Sequence, residues 1–352
     1  MDLPPAPNGL SNRWNLGLHW GICSGPGCHV RNNLLKCGAC RAISYCSVAH
    51  QKADRPRHKS SCQIVKDALE KLAPAEAGLR AESSEPSHNP FETMRGRFWS
   101  SGPTRLYMEM RYEVTMALSN IRTGDAVEAM LDHSLEMLQL NPGDNQGVRS
   151  QVPGLYLRLG RDQEAYDFIK WWATIGSAGY YEWDNPESPF LNLHDEDILE
   201  NVNVCAEKLF DLSMLACLTN LKARLLLDVQ MLEQQSKIPG NRDASFEKKM
   251  EWVREHAMSD MLYKHQEVVE QTSWTDLISN LQGQVRVLVN RVKERNKFYW
   301  PALKEPERWS YARPIPYTPG SAHEINGVFR HTWYSWAECP PALELVKSLS
   351  SS

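Results

Sequence analysis

Apolar residues recur every three or four positions along most of this chain, the period of an amphipathic helix. From Gln63 to Leu79 the stripe is Ile64, Val65, Ala68, Leu69 and Leu72. A helix is expected there, ended or kinked by Pro74. Residues 81–89 are polar and aperiodic and read as a linker, which we extend to 81–100. From about Pro90 onward strand signals are almost absent. Thr104–Asn120, Asp125–Gln139 with Met130, Leu131, Leu135 and Leu138, and Gln163–Trp172 with Ala165, Phe168, Ile169 and Trp172 all carry one apolar stripe. Helices paired across short turns are implied.

One internal match suggests a repeat. Ile121-Arg122-x-Gly124-x3-Glu128-Ala129 recurs as Leu157-Arg158-x-Gly160-x3-Glu164-Ala165, a period of helix-turn-helix arrays. With Leu140-Asn141-Pro142-Gly143-Asp144-Asn145 between the copies, this stretch resembles a tetratricopeptide (TPR) repeat. A generic helical bundle is the alternative. If the pairs stack, their first helices, around Arg105–Glu113 and Asn145–Arg149, offer a concave binding face. Gly176–Asp195 is aromatic and Pro-rich and reads as irregular. Asp195–Gln235 reads as one or two core helices, Ser236–Asp243 as an exposed turn, and Ser245–Gln271 and Trp274–Arg295 as two more helices. The tail, with Trp300, Tyr311, Pro314, Tyr317, Trp333 and Trp336, is too aromatic for a solvated linker and is expected to wrap back onto the helices.

Ahead of the helices stands a different pattern: Cys23-x4-Cys28, Cys37-x2-Cys40, Cys46-x3-His50 and His58-x3-Cys62. Closely spaced pairs supply adjacent corners of a tetrahedron, and thiolate with imidazole suits Zn²⁺. Eight ligands suffice for two zinc ions. A disulfide framework is the competing reading of the cysteines, but it leaves the two histidines unexplained.

These pairs, with Tyr45-Cys46-Ser47 and His50-Gln51-Lys52-Ala53-Asp54 ahead of His58-Lys59, resemble the MYND-type zinc finger over residues 23–62. The resemblance implies a cross-brace in which pairs one and three share one ion and pairs two and four the other. Carried over, Cys23, Cys28, Cys46 and His50 hold the first zinc, and Cys37, Cys40, His58 and Cys62 the second. Both sites are then closed Cys3His tetrahedra, structural and not catalytic. His50 stands where most members have cysteine. Arg55 stands where the family usually has a tryptophan that lines a groove for proline-rich peptides, so the resemblance does not decide whether that binding carries over.

The expected organisation is an N-terminal tail (1–22), the finger (23–62), a helix packed on it (63–80), the linker (81–100) and an all-α, TPR-like domain with its aromatic tail (101–352). The fold class is thus a small cross-braced two-zinc MYND finger followed by a mainly α domain. Composition fits an intracellular protein, nuclear or cytoplasmic: there is no signal-peptide stretch at residues 1–10 and no run of apolar residues that crosses a bilayer. Cys205, Cys217 and Cys339 are isolated in apolar contexts and read as buried thiols.

The net charge of −4 names no polyanion partner for the whole chain. The finger differs. Arg31, Lys36, Arg41, Lys52, Arg55, Arg57 and Lys59 stand against Asp54 alone, giving +6 before metal and about +4 with two zinc sites. Nucleic-acid binding through this module is therefore an alternative, although aromatic platforms for stacking bases are missing. There is no Gly-rich phosphate loop, no His-Glu-x-x-His and no Gly-x-Ser-x-Gly. The family also includes lysine methyltransferases with the finger inserted in a SET domain, but their strand-rich cofactor region has no counterpart in the residues after the finger. The expected function is a non-enzymatic, zinc-binding adaptor for protein partners, such as transcriptional corepressor or ubiquitin-ligase complexes.

Overall fold

The computed structural model of the protein describes residues 18–81, 89–183, 185, 187–310 and 316–350. The first part of the expected tail, linker residues 82–88, Tyr311 and Pro314 lie outside the described residues. The described residues of Gly17–Leu155 and Tyr180–Phe190 form one compact unit, and those of Tyr156–Gly179 and Leu191–Ser352 form another. The finger and the helices up to Leu155 therefore share a unit, whereas the sequence reading places a division at the linker.

In the first unit, β1 (Leu35–Lys36) pairs antiparallel with β2 (Ser44–Tyr45), Leu35 opposite Tyr45 and Lys36 opposite Ser44. Then comes α1 (Val48–Ala81), 34 residues long, with Pro56 and Pro74 inside it. The helix expected over 63–79 thus starts fifteen positions earlier, and Pro74 does not end it. An interior proline costs about 3 kcal/mol, and two features offset it. Asp54, His58, Cys62, Val65, Ala68, Leu72 and Leu79 form one buried stripe, and α1 packs along α3. His58 and Cys62, four apart, occupy one helix face, so the zinc-ligand spacing and the helical repeat agree.

After α2 (Pro90–Thr93), α3 (Gly102–Leu118) and α4 (Gly124–Leu140) form an antiparallel pair. Thr123 caps α4 by accepting the Ala126 N–H at 3.2 Å. Tyr107, Met108, Val114 and Leu118 of α3 and Val127, Met130, Leu131 and Leu138 of α4 are buried. The α3 face expected to be free is partly taken by α1, with Lys71 pairing to Glu113 at 3.0 Å. A 3-10 turn at Val148–Ser150 leads into α5 (Val152–Arg158), where the chain passes from one unit to the other.

The second unit holds α6 (Asp162–Ala173), α7 (Asn203–Lys208), α8 (Leu212–Ser236), α9 (Phe246–His256), α10 (Met261–Lys264), α11 (Gln266–Glu270), α12 (Thr275–Arg295), α13 (Tyr299–Ala302), α14 (Pro306–Ser310), α15 (Glu324–Ala337) and α16 (Pro340–Ser350). The two copies of the internal match fall at the α3–α4 and α5–α6 turns, as a helix-turn-helix repeat requires. Gly160 takes φ 66°, a conformation that favours glycine. Capped by Asp211, α8 is buried on nearly every side from Leu212 to Leu226, and α6, α9, α12, α15 and α16 pack on it. The expected helix over 245–271 breaks into α9, α10 and α11, because the buried Asp228 carboxylate captures the Met258 and Ser259 N–H groups at 2.7 and 3.0 Å. The aromatic tail does fold back: Trp336 is fully buried and donates to the Tyr299 hydroxyl, and Trp300 donates to the Val289 carbonyl, each at 2.9 Å.

Candidate metal centres

The finger's backbone is arranged around its ligands. The Cys37 N–H donates to the Ile43 carbonyl at 2.7 Å and the Arg41 N–H to the Cys37 carbonyl at 2.9 Å, closing the turn between β1 and β2 that carries Cys37 and Cys40. The Cys23 N–H donates to the Val30 carbonyl at 2.8 Å, and the Ser24 N–H to the Ser44 carbonyl at 2.9 Å, which lays the first pair beside β2. Gly25 admits the ring of His50: a Cβ there would lie 2.5 Å from the His50 Cβ.

The eight predicted ligands gather as the cross-brace implies, Cys23, Cys28, Cys46 and His50 in one cluster and Cys37, Cys40, His58 and Cys62 in the other, with donor atoms within 4.8 Å of one another. In the first, Cys28 and Cys46 Sγ are 3.8 Å apart, and His50 Nδ1 is 3.5 Å from Cys23 Sγ and 3.2 Å from Cys46 Sγ. In the second, Cys37 and Cys62 Sγ are 3.8 Å apart and His58 Nε2 is 3.5 Å from Cys40 Sγ. A tetrahedron with Zn–S near 2.3 Å and Zn–N near 2.0 Å has S–S edges of about 3.8 Å and S–N edges of about 3.5 Å. The S–S contacts of 3.8 Å match, the S–N contacts run from 3.2 to 3.5 Å, and the sulfurs stand far beyond a disulfide bond of about 2.05 Å. Each donor set therefore fits one zinc ion. Bound there, zinc would tie the β-turn, the β2 end and α1 together.

The thiols are not equivalent. Burial opposes ionisation of Cys37, but the Cys40 N–H and the His58 ring outweigh it and bring its pKa down to about 6. Cys23 is likewise drawn down to about 7 against burial by the Cys46 and Gly25 N–H groups. Burial pushes Cys40 up to about 12, aided by the neighbouring sulfurs. Cys46 rises to about 11, through desolvation and its bonds to Cys23 and Cys28. Zinc takes thiolates, so loading either cluster expels the protons that its raised cysteine holds at neutral pH.

Beyond the ligands, Tyr45 donates its hydroxyl to Asp54 Oδ2 at 2.8 Å, and Arg57 Nε binds Asp54 Oδ1 at 2.7 Å. Tyr45 and Asp54, members of the recognised motif, thus tie β2 to α1. The finger also meets the α3–α4 turn. Thr123 donates its hydroxyl to the Ala42 carbonyl, and the Gly124 N–H donates to the His19 carbonyl at 2.9 Å. Gly124 has no alternative, since a Cβ there would lie 2.1 Å from the Trp20 ring. In the sequence nothing marks Thr123, Gly124 and Asp125 as finger contacts except the glycine that recurs in the repeat.

Comparison with known families agrees with this geometry: residues 23–62 match the family model of the MYND finger. The match spans the eight ligands and stops at Cys62, within α1. Neither the curated proteins nor the solved structures give a match.

Proposed function

We propose that this protein is a non-enzymatic adaptor that binds protein partners through a zinc-stabilised MYND finger joined to helical, TPR-like surfaces. The observation that carries the reading is the pairing of eight ligands four and four; a zinc ion held by each set would have four protein donors, serve structure and leave no corner for a reacting water. MYND fingers mediate protein interactions. After β2 the described residues hold helices and no strand, which argues against a SET-type methyltransferase. No helix among the described residues is long and apolar enough to cross a membrane. Nine cysteines without a disulfide suit a reducing compartment, nuclear or cytoplasmic. Corepressor and ubiquitin-ligase complexes are the partner classes that the finger suggests.

Affinity capture with the full zinc-loaded chain tests the reading. A reproducible set of protein partners that is retained through nuclease treatment is expected. Exposed Arg41, Lys52, Arg55 and Lys59 give the finger a basic surface, so the same preparation is passed over DNA and RNA. Retention that falls steeply with salt, with protein partners lost on nuclease treatment, would replace the adaptor reading by nucleic-acid binding.

A further inference from the structure

Val48, Lys52, Arg55 and Lys59 of α1 are separated by four, three and four residues, the spacing that sets side chains in one row along a helix, and all four are exposed. Three consecutive members of the row are cations. Val48, 62% exposed, leads it with an apolar contact.

The rest of α1 handles charge differently. Lys66 pairs with Glu70 at 3.4 Å, Lys71 with Glu113 at 3.0 Å and Arg80 with Glu76 at 2.8 Å. In the finger's part of the helix the one carboxylate, Asp54, is buried and already bound by the Tyr45 hydroxyl and Arg57. Arg55 is within electrostatic reach of Cys62, where it opposes the rise that burial imposes on the thiol, so the second cluster engages part of its charge. Lys52 and Lys59, on either side of it, pair with no carboxylate of the described residues. Residues 1–17 hold one acid, Asp2, and one base, Arg13, hence no net negative charge. Like charges three and four residues apart on a helix repel, and this row keeps a repulsion that ion pairs relieve elsewhere on α1.

The spacing selects what would relieve it. At a rise of 1.5 Å per residue the three cations stand about 4.5 and 6 Å apart along the helix axis. Carboxylates three and four residues apart on a second helix repeat at those distances, whereas alternate residues of an extended strand stand about 6.6 Å apart. Nucleic acid fits less well, because the row has no aromatic side chain to stack on bases and the whole chain carries a net charge of −4.

We propose that this row of α1 docks a helix of a protein partner that carries Glu or Asp at three- and four-residue spacing, with an apolar residue set against Val48. That the occupant is a protein rests on the adaptor reading; the preference of the row for spaced carboxylates does not. Complementary charge rows set register and speed encounter more than they add affinity, so the contact is weak by itself and sensitive to salt.

The test uses the full zinc-loaded chain at low salt with four probes. The first is an alanine-based helical peptide with glutamates in one row and a leucine one turn beyond each end of it. The others are its Gln twin, a peptide of the same composition with the glutamates spread around the helix, and a short DNA duplex. Amide shifts over residues 48–59 report binding. Expected are saturable shifts there with the row peptide, binding of the spread peptide weaker by about threefold or more, and no binding of the Gln twin. Lys52→Gln and Lys59→Gln, each still carrying two zinc ions, should weaken the row peptide about threefold, the weight of one exposed ion pair. Val48→Ser should weaken it as well. Lys71→Gln, which removes a cation paired with Glu113 further along α1, is expected to bind as the parent does. Equal binding of the row and spread peptides, binding of the Gln twin, equal loss in Lys71→Gln, or a duplex bound more tightly than the row peptide and lost in the same variants would each overturn the proposal. Partner capture is scored apart: a failed row leaves the adaptor reading standing, and a failed capture leaves the peptide result standing.

Discussion

Lys36 Nζ on β1 and Asp125 Oδ1 in the first turn of α4 face each other at 3.1 Å. Ser44, the register partner of Lys36 on β2, donates its hydroxyl to the other oxygen of the same carboxylate at 2.6 Å. One side chain therefore holds both strands of the finger to α4, at a helix N-terminus where the macrodipole favours a negative charge.

The two arms of this contact differ in weight. Lys36 is 53% exposed on its side chain and Asp125 17%. An exposed ion pair contributes about 0–1 kcal/mol, whereas a hydrogen bond to a charged acceptor contributes about 1.5–3 kcal/mol. Lys36→Gln is expected to lower the first unit's stability by less than about 0.5 kcal/mol and Asp125→Ala by roughly 2 kcal/mol. Urea titration with amide exchange at Lys36 and Ser44 measures both. Equal costs would mean that the docking is mainly ionic.

Chelation is expected to divide α1. Its N-terminal part carries His50, His58 and Cys62, and the binding free energy of zinc is folding free energy for such a module. The C-terminal part keeps Val65, Ala68, Leu72 and Leu79 buried, with α3 packed alongside. Hydrogen exchange after zinc removal should rise over residues 48–62 and stay low over 65–79. Simultaneous loss of protection along all of α1 would show one cooperative element.

The ligands were legible because spacing and residue type state the chemistry directly: His58-x3-Cys62 is a metal pair and also a helical turn. The start of α1 at Val48 was not, since the interval to Gln63 holds Pro56 and ligands in place of an apolar stripe. Nor was the docking of the finger, which runs through one carboxylate, one hydroxyl and a glycine whose missing side chain makes room for Trp20. Such contacts leave no period to read. The division of helices after Ser245 depends on Asp228, a residue far off in sequence whose capture of two backbone N–H groups no local propensity announces.

The repeat itself conceals a difference that can be measured. Arg122 of the first copy lines a cleft between the finger and the α3–α4 turn, while Arg158 of the second copy is 8% exposed on its side chain and pairs at 3.0 Å with Glu338, 1% exposed. Removing one partner of a buried pair strands the other charge, at a cost of about 3–5 kcal/mol. Arg158→Met is expected to destabilise the second unit by that amount, and adding Glu338→Leu to recover most of it. A double variant no better than the single one would mean that Arg158 acts through packing on Tyr334, whose ring lies 5.1 Å from its guanidinium carbon.

Lys222 supplies the pH dependence. It is fully buried on α8, and its ammonium reaches the Ile198 carbonyl and, at 3.3 Å, that of Glu200. Burial pushes its pKa from 10.5 down to about 7, against the pull of Cys205, Glu200 and Asp197. Between these two values the unfolded chain binds the proton that the folded one has released, so this residue's contribution to stability grows as pH rises from about 7 toward 10.5. Lys222→Met removes the titration but also the donor to both carbonyls. Relative to the parent, the variant should therefore fare best near pH 6 and lose ground by roughly 1–3 kcal/mol on going to pH 9, at about 1.4 kcal/mol per pH unit for one proton. Urea midpoints of both proteins at saturating zinc, followed by helix dichroism, give that difference while the metal sites cancel between them. A difference that stays flat from pH 6 to pH 9 would mean that Lys222 keeps its proton in the fold, held by the two carbonyls more strongly than burial expels it.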